Sequence, residues 1–265
     1  MHDDTASGPI LRYQRSGQVA LLTAANPQRM NAMTAAMWRM LPDHVARAET
    51  DPAVRVIVVR GEGARAFSAG ADISEFATAR TGEAAAAYDD LNNAAFAALL
   101  GCSKPTIAMI HGHCLGGGLA IALCCDLRLA DEAAQFAIPA AKLGIGYNPR
   151  WMTPLLAAVR PAQAKEIMFT GRRFDAAEAL AMGLVNRVVA APTLAVEVEK
   201  LAAAIGENAP LTIKAAKRTI DELSRRPATD LAALDALVKE CFESHDYAEG
   251  RRAFLEKRRP KFEGR

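Results

Sequence analysis

Phe67-Ser68-Ala69-Gly70-Ala71-Asp72 and His111-Gly112-His113-Cys114-Leu115-Gly116-Gly117-Gly118 are the stretches whose reading decides this chain. Each follows an apolar run, Val54-Arg55-Val56-Ile57-Val58-Val59 in the first case and Thr106-Ile107-Ala108-Met109-Ile110 in the second. Such runs bounded by small residues are strand signals. Two strand-then-turn units can each aim a backbone N–H at a shared point. A pair of such donors is the minimum for holding negative charge on a carbonyl oxygen in a water-poor site. Small residues matter there because a side chain would keep a ligand off the backbone. Three glycines in a row are costly in backbone entropy, so Gly116-Gly117-Gly118 signals close approach more than a mere loop. A helix opening at that point adds free N–H groups and the positive end of its dipole.

Outward from these turns the chain alternates strand and helix. The first few residues read as a loose terminus. The pattern predicts a strand over 19–23, a turn at Asn26-Pro27-Gln28-Arg29-Met30-Asn31 and a helix over 34–50. That helix carries Met37, Met40, Leu41, His44, Val45 and Ala48 on one face, and Pro42 is placed to kink it. A strand over 54–60, an Ala-rich helix over 81–100, a strand over 106–110 and a short buried helix over 119–125 follow. Two more short strands are expected at 126–130 and 135–138. The alternation argues an α/β fold. From about Pro192 the pattern is helical: Leu194, Val198, Leu201 and Ile205 share a stripe, Pro210 opens a helix, and Leu234, Leu237, Val238, Cys241 and Phe242 form another stripe. Residues 1–195 are read as the α/β core and 196–265 as a helical C-terminal region.

Bulk properties exclude several classes. At 265 residues the chain suits one large domain with an appendage. A net charge of +2 is too balanced for a nucleic-acid footprint. The basic excess is local, with Arg251, Arg252, Lys257, Arg258, Arg259, Lys261 and Arg265 crowding the end, either as a solvated tail or as phosphate contacts. Five cysteines, two of them adjacent at Cys124-Cys125, argue against a disulfide framework and for a cytoplasmic setting. There is no secretory h-region and no apolar run long enough to span a membrane.

Other motifs fare less well. Gly61-Glu62-Gly63-Ala64-Arg65-Ala66 fits a dinucleotide fingerprint, but it runs into Phe67-Ser68 instead of opening a helix. His111-x-His113-Cys114 has metal-ligand residue types without a second cluster at metal spacing, so no metal is expected. Ser68 lacks a nucleophile elbow, and Asp126 reads as a hydrogen-bonded structural carboxylate.

Taken together, the chain resembles the crotonase (enoyl-CoA hydratase/isomerase) superfamily over nearly its full length. The resemblance rests on Asn26-Pro27 to Met33, on Phe67 to Ile73, and on Lys104-Pro105 through the glycine triplet to Asp126. It continues through Ala164-Lys165-Glu166 to Gly171, Ala176, Ala179 and Gly183-Leu184-Val185, and closes with Glu249-Gly250 to Phe262. It implies a spiral of ββα units with a helical C-terminal trimerisation region, assembled as a homotrimer or homohexamer. It implies that Ala71 and Gly117 donate the two N–H groups of an oxyanion hole for an acyl-CoA thioester. By the same mapping Ala69, Asp72 and Ile73 meet the adenine end of coenzyme A, Arg29 borders its path, and Phe254 and Lys257 contact it, often from a neighbouring subunit. No resident cofactor is implied, since coenzyme A enters as part of the substrate.

Two departures from the family follow. Where its hydratases place glutamates, this chain has Ala120 and Ala140. Hydrating an enoyl thioester needs one group to activate water and one to deliver a proton, and loss of such a group costs about 10²–10⁴ in rate. Replacement candidates lie in Leu143-Gly144-Ile145-Gly146-Tyr147-Asn148-Pro149-Arg150-Trp151. Tyr147 can donate a proton, Asn148 a hydrogen bond, and Arg150 can pair with a substrate carboxylate; equally, these residues shape the trimer or close a loop. His113 is a further candidate base. Three readings remain open: an acyl-CoA enzyme working through an enolate without ordinary hydration, such as decarboxylation or isomerisation; a hydratase with substituted acid and base groups; and a catalytically silent CoA-ester-binding protein.

Overall fold

The computed structural model describes residues 8–75, 83–224, 239, 242–258 and 260. Its strands form two sheets. The larger has the order β1 (Ile10–Ser16), β2 (Val19–Ala25), β3 (Val56–Gly61), β5 (Thr106–Ile110), β7 (Leu127–Asp131), β10 (Arg187–Val189). The smaller has the order β4 (Ala66–Ser68), β6 (His113–Leu115), β8 (Gln135–Ala137), β9 (Phe174–Asp175). β1 is antiparallel to β2 and β9 to β8, and the other pairs are parallel. Parallel strands covered on both faces read as unbroken apolar runs, and every residue of β5 is buried.

Consecutive strands alternate between the sheets. β3 enters the large sheet and β4 the small one, and β5 with β6, then β7 with β8, repeat the step one strand further along. The helices α2 (Glu83–Gly101) and α3 (Gly117–Cys124) follow β4 and β6. This is the α/β spiral of ββα units implied by the family resemblance. Its consequence for function is geometric: the turns leaving β4, β6 and β8 emerge side by side from one sheet edge, at the C-terminal ends of parallel strands.

Two apolar layers hold the spiral. The inner one packs α1 (Ala35–Thr50), through Met37, Trp38, Leu41, Val45 and Ala48, together with α2 and the wholly apolar part of α3. α1 is capped by the Thr34 hydroxyl and runs through Pro42 without interruption. The outer one packs Leu194, Val198 and Ala202 of α7 (Leu194–Gly206) against Val56, Val58, Ile107, Met109 and Leu129. The boundary expected between 195 and 196 therefore falls inside a helix that covers the large sheet. Between these elements lie α4 (Pro149–Ala158), α5 (Pro161–Thr170) and α6 (Ala176–Ala181), and the described C-terminal helices are α8 (Pro210–Ser224) and α9 (His245–Leu255). None among the described residues is long and apolar enough to cross a membrane. Cys102, Cys114, Cys124 and Cys125 are buried free thiols.

The structure departs from the sequence expectations in two places. Ile10–Ser16, which the sequence reading leaves without an element, is an edge strand whose Leu11 alone is buried, so it lacks an alternating signal. β4 and β6 are three residues each and were read as parts of the glycine turns. The apolar stripe Leu234 to Cys241, and Arg259, Lys261, Phe262 and Arg265, lie outside the described residues.

α8 is the most exposed helix of the set, with Leu211 at 79% and Ile220 at 62% exposure. Lys217 anchors it: Nζ donates to Asp126 Oδ2 at 2.8 Å and to the Lys104 carbonyl at 3.0 Å. Asp126 also accepts from the N–H and hydroxyl of Thr106. Asp126→Ala strands a buried ammonium and should destabilise the fold by about 2 kcal/mol, after allowance for the carboxylate's partial exposure. A lowered midpoint in thermal denaturation checks this, and an unchanged one means that α8 is held otherwise.

Candidate active site

The first glycine turn is clamped from the Asn26–Asn31 turn. Asn31 donates through Nδ2 to the Ala66 and Glu62 carbonyls at 2.7 and 3.0 Å. The Ser68 hydroxyl donates to the Asn31 carbonyl, and the Gly70 N–H to that hydroxyl. Met33 N–H donates to the Gly70 carbonyl at 2.7 Å and Asp72 N–H to the Met33 carbonyl at 2.9 Å, so Ala71 sits within a one-residue parallel bridge. Bonds in that bridge use the neighbours' groups and leave the Ala71 N–H pointing the other way.

The second turn arrives from β6, the strand beside β4. A Cβ placed on Gly118 would lie 2.5 Å from the Ser68 carbonyl oxygen. One placed on Gly70, whose φ is +96°, would lie 2.9 Å from the Leu115 oxygen and 3.0 Å from the Gly117 nitrogen. The turns are thus in backbone contact, which glycine alone permits. Gly116 N–H donates to the Ala137 carbonyl at 2.8 Å, tying in the third turn. Gly117 is the first residue of α3, where N–H groups lack intrahelical partners. A Cβ there would lie 3.2 Å from the Trp38 ring and 3.5 Å from the Ala71 nitrogen. Among the described residues neither the Ala71 nor the Gly117 N–H donates to a main-chain carbonyl. The same Gly117 Cβ position reaches both the Ala71 nitrogen and the Trp38 ring, so the two amides are neighbours beside an indole; two N–H groups at one point are what an oxyanion hole requires.

Ala120 and Ala140 stand on the second and third turns. Ala120 is one turn into α3 and Ala140 opens the 3-10 helix Ala140–Leu143; both are buried in the inner apolar cluster. Tyr147 faces the same region. Its ring meets Trp151 edge-on, with centroids 5.5 Å apart, and its hydroxyl is buried without a hydrogen-bond partner. Burial pushes its pKa well up, and the Cys124 thiol adds to this, so the phenol stays protonated. Cys124 lies four residues after Ala120, on the same face of α3. The ring therefore packs on the side of α3 that carries Cys124 and Ala120.

Other candidates are placed differently. Asn148 is the N-cap of α4, its Oδ1 accepting from the Arg150 N–H at 2.9 Å, so its acceptor is already engaged. Arg150 is exposed, while its neighbours Trp151 and Asn148 are buried. His113 pairs with Ala66 at the start of β6, near Arg65 and Arg173, roughly 7 Å along the strand from Leu115, where the turn to Gly117 begins. Burial and these arginines lower its pKa, which leaves it neutral but at the wrong end of the small sheet. His111 is a brace, its Nδ1 2.8 Å from Asp131 Oδ2.

Toward solvent, Arg29 Nη1 donates to Asp72 Oδ1 at 3.0 Å and to the Ser74 hydroxyl at 2.7 Å. Ala69 N–H donates to the Met30 carbonyl at 2.9 Å. Ile73, Ser74, Leu143, Ile145, Arg251 and Phe254 line one cleft, so Ile73 and Phe254 meet within a single chain. α9 is pressed onto Leu143, and buried Glu249 accepts from Arg252 and Arg258. Lys257 follows α9 at a φ of +53°, exposed.

Trp38, Tyr88 and Phe96 went unnoticed in the sequence. Trp38 lies beside the apolar stripe of α1, which signals a helix contacted on two sides. Tyr88 and Phe96 stand out as aromatics in an Ala-rich helix.

The enoyl-CoA hydratase/isomerase family model matches residues 14–265. The short-chain-enoyl-CoA hydratase of Clostridium acetobutylicum is 34% identical over 247 residues, covering 93% of this chain and 94% of its own. A solved enoyl-CoA hydratase/carnithine racemase from Magnetospirillum magneticum superposes with a TM-score of 0.80 at 38% identity, covering 96% of each chain. A methylmalonyl-CoA decarboxylase in complex with 2-nitronate-propionyl-CoA superposes with a TM-score of 0.88 at 28% identity, covering 96% of this chain and 98% of that one. The chain belongs to the enoyl-CoA hydratase/isomerase family, within the crotonase superfamily. It is an acyl-CoA-processing enzyme of that type.

One stability test isolates the Tyr147 hydroxyl. An unpartnered buried hydroxyl costs about 1–3 kcal/mol. Tyr147→Phe should therefore leave the thermal midpoint unchanged or raise it. A clear fall would reveal a structural bond for that hydroxyl.

Proposed function

We propose that this enzyme decarboxylates an α-carboxyacyl-CoA, a malonyl-type thioester. The observation that carries the reading is the protonated, unpartnered Tyr147 hydroxyl facing a helix whose usual carboxylate position is Ala120. The thioester oxygen accepts from the Ala71 and Gly117 N–H groups. The bond from the α-carbon to its carboxylate breaks, its electron pair forms the thioester enolate, and carbon dioxide leaves. The α-carbon then takes the Tyr147 proton, and water reprotonates the phenolate.

Alanines at 120 and 140 favour this reaction over hydration. Two glutamates would repel a substrate carboxylate, whereas an apolar surround raises the energy of that carboxylate relative to the charge-dispersed transition state. Arg150 is not required: a tight ion pair would stabilise the ground-state carboxylate and oppose loss of carbon dioxide. The likeness to a methylmalonyl-CoA decarboxylase supports the assignment, and the hydratase relatives support the thioester site. Coenzyme A would follow the backbone at Ala69, Asp72 and Ile73 and the cations Arg29 and Lys257, with Phe254 against its arm. The exposed Leu211 and Ile220 of α8 support a trimer or hexamer that buries this helix.

Methylmalonyl-CoA and malonyl-CoA should be decarboxylated, with propionyl-CoA and acetyl-CoA seen by mass spectrometry, and crotonyl-CoA should be hydrated far more slowly. Tyr147→Phe should lower kcat by about 10²–10⁴ at nearly unchanged KM. Gly117→Pro removes a donor and should lower kcat by about 10²–10³ while CoA binding falls less. Efficient crotonyl-CoA hydration without decarboxylation would restore the hydratase reading, and turnover of neither would favour a silent binder. Light scattering at micromolar concentration should report three or six subunits; a monomer removes the interface.

A further inference from the structure

Trp38, Phe96, Trp151 and Tyr147 form an unbroken row of edge-to-face rings. Centroids are 5.6 Å apart from Trp38 to Phe96, 5.6 Å from Phe96 to Trp151 and 5.5 Å from Trp151 to Tyr147. The row begins at Trp38, whose ring would lie 3.2 Å from a Cβ on Gly117, itself 3.5 Å from the Ala71 nitrogen, and it ends at the buried Tyr147 hydroxyl. Three elements supply it: α1, α2 and the segment opening α4. Both indoles are fixed to α2, since Trp38 Nε1–H donates to the Tyr88 hydroxyl at 3.1 Å and Trp151 Nε1–H to Asn93 Oδ1 at 2.9 Å. Trp38, Phe96 and Trp151 are buried, at 1%, 5% and 9% exposure, so each ring is packed on its neighbours and a ligand group beside the row must settle against packed rings.

We propose that this row is the closed end of the acyl site and confines the enzyme to short acyl groups, propionyl- or butyryl-sized. The proposal rests on placing the thioester oxygen at Ala71 and Gly117. From there the α-carbon and its substituents stand against the Trp38 face, with Tyr147 ahead of them. A longer chain must displace a ring that is both packed and hydrogen-bonded. Edge-to-face pairs resist sliding, and a moved indole leaves its N–H unpaired. A misfit of one methylene in such a pocket changes affinity by roughly 10- to 200-fold.

The test is calorimetric binding of saturated acyl-CoAs, acetyl through octanoyl, to the full-length protein and to Phe96→Ala and Phe96→Leu. These ligands cannot be decarboxylated, so the readout is independent of the reaction. In the unmodified enzyme affinity should rise to butyryl-CoA and fall at least about tenfold at hexanoyl-CoA. Phe96→Ala removes the middle ring and should abolish most of that fall; Phe96→Leu should do so in part, with thermal melts confirming folded variants. Octanoyl-CoA binding as tightly as butyryl-CoA, or a folded Phe96→Leu with an unchanged profile, overturns the proposal. Failure to bind any thioester or free CoA overturns the site reading and the wall with it. A length profile as expected, without decarboxylation of methylmalonyl-CoA, upholds the wall and removes only the decarboxylase assignment.

Discussion

The backbone contact between the two glycine turns is the constraint on which the rest of the site depends. β4 and β6 are neighbours in the small sheet, so the segments leaving them start only about 4.8 Å apart. The Ser68 carbonyl then meets Gly118, and the Leu115 carbonyl meets Gly70, at distances that no Cβ survives. This approach leaves the Ala71 and Gly117 amides side by side with no main-chain acceptor among the described residues. The fold tolerates this because the surrounding bonds over-determine the turns. Asn31 and Ser68 hold the first, and the Ala137 carbonyl holds the second through Gly116. Strain of this kind persists only where neighbouring structure imposes it.

Legibility in the sequence followed the range of the interaction. The glycine turns were readable because close backbone approach restricts residue type locally, and so were the helix starts at Gly117 and Pro210. β4 and β6 were not, because three-residue strands carry no period and only their neighbours in space make them strands. His113 looked like a possible base because it stands near Gly117 in number, but an extended strand carries it away from the turn that follows. The aromatic row joins residues up to 113 positions apart, Trp38 to Trp151, and no local pattern links them. The family resemblance implied where a thioester would sit, yet it could not supply replacements for the two alanines. Those depend on which side chains the fold turns inward.

Tyr147 shows how that inward turn changes chemistry. Asn148 caps α4 and Arg150 stays in solvent, while Tyr147 is held against Trp151 in apolar surroundings. The same low polarity that keeps its phenol protonated also penalises an unpaired carboxylate. A hydratase needs charged groups in this space to handle water, and here none of the three residues provides one. Apolar surroundings with one retained proton and two amides lacking a main-chain acceptor suit a reaction in which the substrate supplies the charge. In the decarboxylation proposed above, the negative charge would begin on the carboxylate, poorly solvated among these apolar groups, and would end on the thioester oxygen at the two amides; differential stabilisation of that kind lowers a barrier. On that proposal, replacing either alanine by a carboxylate would reverse the bias by placing a like charge at the starting end, which gives the two alanines a part in the chemistry.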